Sequence, residues 1–245
     1  TTALAASYSS TSSDDFIIPN DYAVDRSSLP EIYAETKRVL VSVHMYTPYD
    51  LVMNPNMTIS TFTDAHAEEL YVDFKTLYQK YVLKGYHVII GEMGIVNKNN
   101  LPQRIKWAKY FVSLCRQFQF APIIWDNGVW DNSESAEETY GFFDRRNLKW
   151  VEPTLMKAFI DTAKVPLSED VELFEHALLE TYNKSEIIID QRDEEMIPIS
   201  SKLLIDKMQF GWNLGNTFDA YNSSQNQGVK SEIFWGNPKT TEQMI

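Results

Sequence analysis

Cysteine, basic side chains and long apolar runs are scarce in this chain, and each scarcity excludes something. The single cysteine, Cys115, rules out an internal disulfide and a thiolate metal cluster. Only 22 lysines and arginines stand against 34 aspartates and glutamates, and the formal charge of -12 disfavours nucleic acid or an anionic membrane as the main partner. A neutral polymer would not be repelled. No apolar run approaches the roughly 20 residues that a bilayer-spanning helix needs. Residues 1–10 lack a basic segment and an initiating Met, so no secretion signal is read in them. His66 and His87 share no metal-ligand spacing with another histidine or the cysteine, and with His176 they are assigned to packing or surface roles; no metal and no cofactor is expected.

What is present points to a globular chain. With 245 residues, 44% of them hydrophobic, it is long enough for one large or two modest domains around a sizeable core. Aromatic residues make up 13%, and such rings either fill a core or stack on flat apolar faces such as those of sugars.

The periodicity is that of an α/β protein. To about residue 35 the chain is rich in Ser, Asp and Pro and reads mostly as loop. Val39-Leu-Val-Ser-Val43 is apolar on both parities, as in a strand buried on both faces of a parallel sheet. Residues 64–84 place Leu70, Phe74, Leu77, Tyr78 and Tyr81 at helical spacing, with Gly85 as a stop. Val88-Ile-Ile90 is the next buried strand. Asn100 and Pro102 then open a helix whose apolar face is Ile105, Ala108, Phe111, Val112, Cys115 and Phe118. Pro122-Ile-Ile-Trp125 is a third strand, and Pro153 opens a third helix with Leu155, Met156, Phe159 and Ile160 on its stripe. Three repeats of strand, loop and helix predict a parallel sheet with right-handed crossovers. Residues 165–200 turn acidic, with helical spacing over Val171, Phe174, Leu178 and Tyr182 and a solvated linker at 190–195. A strand at 210–214 and a polar loop over 222–239 follow, and Thr240 with Gln243 suggests the capping box of a last helix.

Polar residues of chemical interest cluster at the C-terminal ends of these strands: His44 and Tyr46, then Glu92, then Trp125 and Asn127, then Asn213 and Asn216. In a parallel barrel those ends converge on one face, where active sites form. Glu92 follows Val-Ile-Ile-Gly, and an ion there is costly to bury unless it is hydrogen-bonded or functional; Gly91 and Gly94 beside it are expected to let a ligand approach the backbone. A solvated strand-end acid is the plain alternative. His44 alone fits a satisfied core histidine, but Tyr46 leaves the same strand end on the same face. Trp125 fits either the core or an indole platform for a sugar ring.

Six segments make the reading more specific: Val43-His-Met-Tyr46, Gly91-Glu-Met-Gly94, Ile124-Trp-Asp-Asn-Gly128, Gly141-Phe-Phe-Asp-Arg-Arg146, Gly211-Trp-Asn-Leu-Gly-Asn-Thr217 and Trp235-Gly-Asn-Pro238. Together they resemble glycoside hydrolase family 5, in its group of rumen and anaerobe endo-β-1,4-glucanases, over most of residues 1–164 and 203–245. The resemblance implies a (β/α)8 TIM barrel of the α/β class, a secreted protein and a β-glucan substrate. It also implies cleavage with retention by two glutamates about 5 to 5.5 Å apart. By its match Glu92 is the nucleophile; Tyr46 would hydrogen-bond its carboxylate, His44 would join the polar network at the scissile bond, and Trp125 would form the sugar platform. Asn127, Asn213, Asn216 and Trp235 are the remaining implied substrate contacts. Met93 stands where the family more often has an aromatic residue.

The order of the segments is inverted relative to that barrel. The run 210–221 resembles its opening strand, whereas 39–46, 88–94 and 121–128 resemble closing strands and residues 1–10 the end of the fifth. The implied acid/base is a glutamate preceded by asparagine, and the chain contains no Asn-Glu dipeptide. The expectation is therefore the C-terminal half of one module (1–164), an acidic, partly helical linker (165–202) and the start of another module (203–245), with a permuted enzyme as the alternative. Strands five to eight and one are expected to pair contiguously as an incomplete barrel with two exposed edges, which predicts poor solubility. Rival functions are another polysaccharide specificity (xyloglucan, mixed-linkage glucan, mannan or xylan) and a noncatalytic polysaccharide-binding protein.

Overall fold

A computed structural model describes residues 39–132, 137–166, 201–217, 220 and 231–245, and the backbone of residues 2–8. Its centre is a parallel sheet. Strands β1 (Thr2–Tyr8), β2 (Val39–Met45), β3 (His87–Met93) and β4 (Phe120–Asp126) lie side by side in chain order. Beyond β4 the chain makes a short antiparallel ribbon, β5 (Phe143–Asp144) with β6 (Lys149–Trp150). It then returns as β7 (Gly211–Leu214), which pairs in parallel with β4. The expected contiguous order of the sheet is thus found, β1-β2-β3-β4-β7. Within the described residues β1 and β7 each pair on one side only.

The expected helices cross over between the strands: α2 (Asp64–Lys80), α3 (Leu101–Phe118) and α4 (Pro153–Ala163), preceded by the short α1 (Tyr49–Val52). Thr63 caps α2 in a reciprocal capping box with His66, and Gly85 ends the 3-10 turn after it at φ +87°, a conformation glycine adopts without strain. Val41, Val43, Met45, Val88, Ile90 and Ile124 turn to the helices and join Phe74, Leu77, Trp107, Phe111, Phe118 and Phe159 in one aromatic-rich core.

Residues 2–8, loop-like in composition but matching the end of the barrel's fifth strand, form β1 as the resemblance implies; its partner is the β-branched run of β2. Other features differ from expectation. An additional helix, α5 (Ser201–Met208), begins inside the stretch assigned to the linker. Its Leu204, Ile205 and Met208 pack on Leu40, Ile89 and Ala121. Those three lie near the N-terminal ends of their strands, and Leu40 is of opposite parity to the core-facing Val41, so α5 covers the base of the opposite sheet face. The capping box expected at Thr240 is not formed: the Thr240 N–H donates to the Glu232 carboxylate at 2.7 Å, and a 3-10 turn (Glu242–Met244) follows Thr241 instead. The helix expected at 171–182 and the linker at 190–195 lie outside the described residues.

Candidate active site

The site stands at the C-terminal ends of β2, β3, β4 and β7, on the sheet face whose base α5 covers. Strict alternation would send Glu92 to the same side as Val88 and Ile90, into the core against the helices. The β2–β3 pairing prevents this. Val43 pairs with Ile90, but the next partner of His44 is Glu92, not Gly91, so the register slips by one residue at Gly91. Such a bulge re-aims the side chain that follows it. Glu92 leaves the helix side and comes to lie beside His44, on the open face.

There the Tyr46 hydroxyl donates to Glu92 Oε2 at 3.1 Å, and His44 Nδ1 lies 3.3 Å from the same oxygen. The Glu92 and His44 side chains keep 22% and 30% exposure, so the site is reachable from solvent. Burial, reinforced by the neighbouring Glu92 charge, pushes the Tyr46 phenol well above its ordinary value, so it remains a donor over the whole working range. Burial lowers the His44 pKa, which keeps the ring neutral at neutral pH. Donation to a carboxylate favours its ionised form, the form that attacks an electrophilic carbon or takes up a proton.

The glycines flanking Glu92 do something other than expected. A Cβ at Gly91 would run into Ser42 Oγ, and one at Gly94 would come within 2.9 Å of Tyr140 Cδ1. Both positions make room for protein side chains rather than for a ligand's approach. Tyr140 went unnoticed in the sequence because it lies in a loop without periodicity. Its ring meets Tyr46 edge-on at 5.6 Å and Trp125 at 5.4 Å, while its hydroxyl donates to the Val52 carbonyl at 2.9 Å.

Among the other expected contacts, Asn213 enters the site: its Nδ2 donates to the Gly91 carbonyl at 3.3 Å, bracing the bulge from β7. Trp125 is half-buried, packed against the core with Gly215 against its indole. Asn127 does not present its amide to a substrate. It is 2% exposed, its Oδ1 accepts from Val129 N–H, and its Nδ2 donates to the Glu138 carbonyl. Asn216 sits in a turn at φ +56°, its carbonyl accepting from Asn237 Nδ2 at 3.1 Å. Trp235 is 43% exposed on the turn just before Asn237.

A buried charge pair fastens β7 and its loop to β4. Asp126, fully buried, accepts from Gly128 N–H, Phe143 N–H and Trp212 Nε1 and lies 3.6 Å from Arg145 Nη2. Arg145 in turn donates to the carbonyls of Asp126 and Gly215 and to Thr217 Oγ1. Burial raises the Asp126 pKa, against the opposing pull of Arg145. The conspicuous Asp-Asn-Gly and Asp-Arg-Arg runs were the available sequence signal, but spacing alone does not show that they meet.

A carboxylate contacted by a phenol and an imidazole thus stands at the C-terminal edge of a parallel α/β sheet, the edge at which active sites form in (β/α)8 barrels. Comparison with known proteins fixes the family. Residues 8–131 match the model of the cellulase family, glycosyl hydrolase family 5. The chain belongs to that family, and its fold is of the (β/α)8 barrel type, incomplete here. It is 39% identical over 160 residues to Endoglucanase B of Clostridium cellulovorans, covering 64% of this chain and 33% of that protein. It is 35% identical over 135 residues to Endoglucanase A of Ruminococcus albus, covering 53% and 36%. Among solved structures, a broad-specificity GH5-4 endoglucanase from Clostridium cellulovorans is 35% identical, with a TM-score of 0.46 over 51% of this chain and 36% of that one. The chain spans about a third of the length of these relatives. No helix among the described residues is long and apolar enough to cross a membrane.

Proposed function

We propose that this chain carries the nucleophile half of a retaining endo-β-1,4-glucanase site, with Glu92 as the nucleophile. The observation that carries the reading is the convergence of Tyr46 and His44 on one oxygen of Glu92 at the strand ends. The family membership supports it, as do relatives named as endoglucanases. In the reaction, a carboxylate oxygen of Glu92 bonds to the anomeric carbon as the bond to the leaving oxygen breaks, and the electron pair goes with the leaving group. Water then displaces Glu92, giving the hemiacetal with its original configuration and passing its proton to a base. Trp125 is the platform beside the reacting ring, and Asn213 holds the backbone from which Glu92 projects.

The second carboxylate of such a site would donate the proton to the leaving oxygen, and the chain has no Asn-Glu pair to match it. A positioned general acid contributes typically about 10²- to 10⁴-fold, so the proposal makes a sharp distinction. The 245-residue chain should release dinitrophenolate from 2,4-dinitrophenyl β-cellobioside, whose leaving group needs no proton, and fail on unactivated β-glucan. Equal rates on both would remove the reading of a half site; no release from the activated glycoside, with the chain folded, would remove Glu92 as nucleophile. A polymeric substrate does not cross membranes, so the proposed protein works outside the cell, in a longer polypeptide that supplies the acid. An Asn-Glu pair in the flanking coding sequence would support the tandem arrangement, and its absence would count against it.

A further inference from the structure

We propose that Tyr140 is a positioning residue that sets Tyr46 and Trp125 in a fixed relation to each other and thereby aligns the nucleophile with the sugar platform. The inference rests on the functional reading above and extends it to a residue outside the strand ends. Tyr140 is 2% exposed and does not itself reach the open face. Its ring touches both side chains that matter. It lies 5.6 Å and 66° from Tyr46, whose hydroxyl holds Glu92, and 5.4 Å and 59° from Trp125. Edge-on and tilted aromatic pairs at such separations prefer particular geometries, so the ring restricts both neighbours.

Tyr140 is itself fixed at three points. Its hydroxyl is anchored on the Val52 carbonyl at the end of α1. Its backbone N–H donates to the Glu138 carbonyl, which also accepts from Asn127 Nδ2. Its Cδ1 fills the space that a side chain at position 94 would need, two residues after Glu92. Gly94 and Tyr140 are therefore complementary: the missing Cβ just after β3 is what lets the ring stand between Tyr46 and Trp125. The next residue, Gly141, holds the same loop down, since its N–H donates to the Val129 carbonyl and a Cβ there would strike the Val129–Trp130 backbone. These contacts join the ends of β2, β3 and β4 through one ring, the kind of supporting shell that keeps a reactive constellation within a fraction of an ångström.

The test is covalent trapping of the whole 245-residue chain with 2,4-dinitrophenyl 2-deoxy-2-fluoro-β-cellobioside. Here the Glu92–anomeric carbon bond forms as the bond to dinitrophenolate breaks, with no proton required. Inactivation rate and apparent affinity are measured separately for wild type, Tyr140→Phe, Tyr140→Leu and Gly94→Ala. Misplacing a reacting group by about 1 Å costs about a hundredfold, so Tyr140→Leu should slow trapping at least about tenfold, and Gly94→Ala, which displaces the ring without altering it, should do the same. Both should also weaken affinity through Trp125. Tyr140→Phe, which keeps the ring, should restore most of the rate even if its melting temperature falls with loss of the Val52 bond. Wild-type trapping constants in folded Tyr140→Leu or Gly94→Ala would overturn the inference and leave the nucleophile reading intact. A wild-type chain that is not trapped at Glu92 would overturn both.

Discussion

Tyr46 Oη lies 3.1 Å from Glu92 Oε2 and donates its proton to it, across 46 residues of sequence. The contact exists because of a backbone irregularity. The register slip at Gly91 turns Glu92 out of the helix-facing core and onto the face that His44 already occupies. A hydrogen bond to a charged group is worth about 1.5 to 3 kcal/mol, enough to matter both for where the carboxylate points and for its ionisation.

Tyr46→Phe removes that donor and little else. Glu92 loses the contact that orients its carboxylate, so trapping at neutral pH should slow about tenfold or more. An unchanged trapping rate in the folded variant would show that the phenol does not position the carboxylate.

His44 makes stability depend on pH in a definite direction. Its pKa is lowered by burial from the ordinary 6.5, so the folded chain binds that proton less readily than the unfolded chain does. Its contribution is fully present above pH 6.5 and is lost as the pH falls through 6.5 toward the lowered native value. Melting temperatures of wild type and His44→Asn, measured at pH 8 and pH 5, should show the steeper loss in wild type.

The bulge can be probed by a double-mutant cycle. Gly91→Ala drives a methyl group into Ser42 Oγ and should cost about 1 to 3 kcal/mol in urea unfolding, as overpacking does. In a Ser42→Ala background the nearest remaining atoms are the residue-42 Cβ at 3.7 Å and His44 Cδ2 at 3.8 Å, both ordinary contacts, and the cost should largely disappear. An additive cycle would mean that Gly91 is needed for its backbone rather than for space.

The docking of β7 depends on Arg145. Arg145→Leu leaves Asp126 as a buried charge and removes three bonds to Asp126, Gly215 and Thr217, so a loss on the order of 3 to 5 kcal/mol is expected. Limited proteolysis should then cut first in residues 201–217. Combining it with Asp126→Asn should recover part of the loss. Unchanged protection of 201–217 would show that β7 is held by its ladder alone.

The parts legible in the sequence were those governed by periodicity. β2, β3 and β4 announced themselves by apolar runs such as Val88-Ile-Ile90, and α2, α3 and α4 by their stripes and by Pro102 and Pro153. The parts that escaped were short or decided by tertiary contact. The two-residue strands of the 143–150 ribbon are too short to show alternation, and α5 displays only Leu203, Leu204, Ile205 and Met208 at the edge of an acidic stretch. Within the site, strand position drew attention to His44, Tyr46 and Glu92, which the fold brings together. It could not show that Glu92 reaches them only through a one-residue slip, because alternation predicts the opposite face. Nor could spacing show that Asn127 spends its amide on its own loop, or that Tyr140 stands behind both Tyr46 and Trp125.

The central claim is that Glu92 is the nucleophile, and peptide mass spectrometry after trapping with the dinitrophenyl 2-fluorocellobioside tests it most directly. The account predicts one added 2-deoxy-2-fluorocellobiosyl group on the peptide that contains Glu92, lost in Glu92→Gln. A label on another carboxylate such as Glu138, or none on a folded chain, would contradict it.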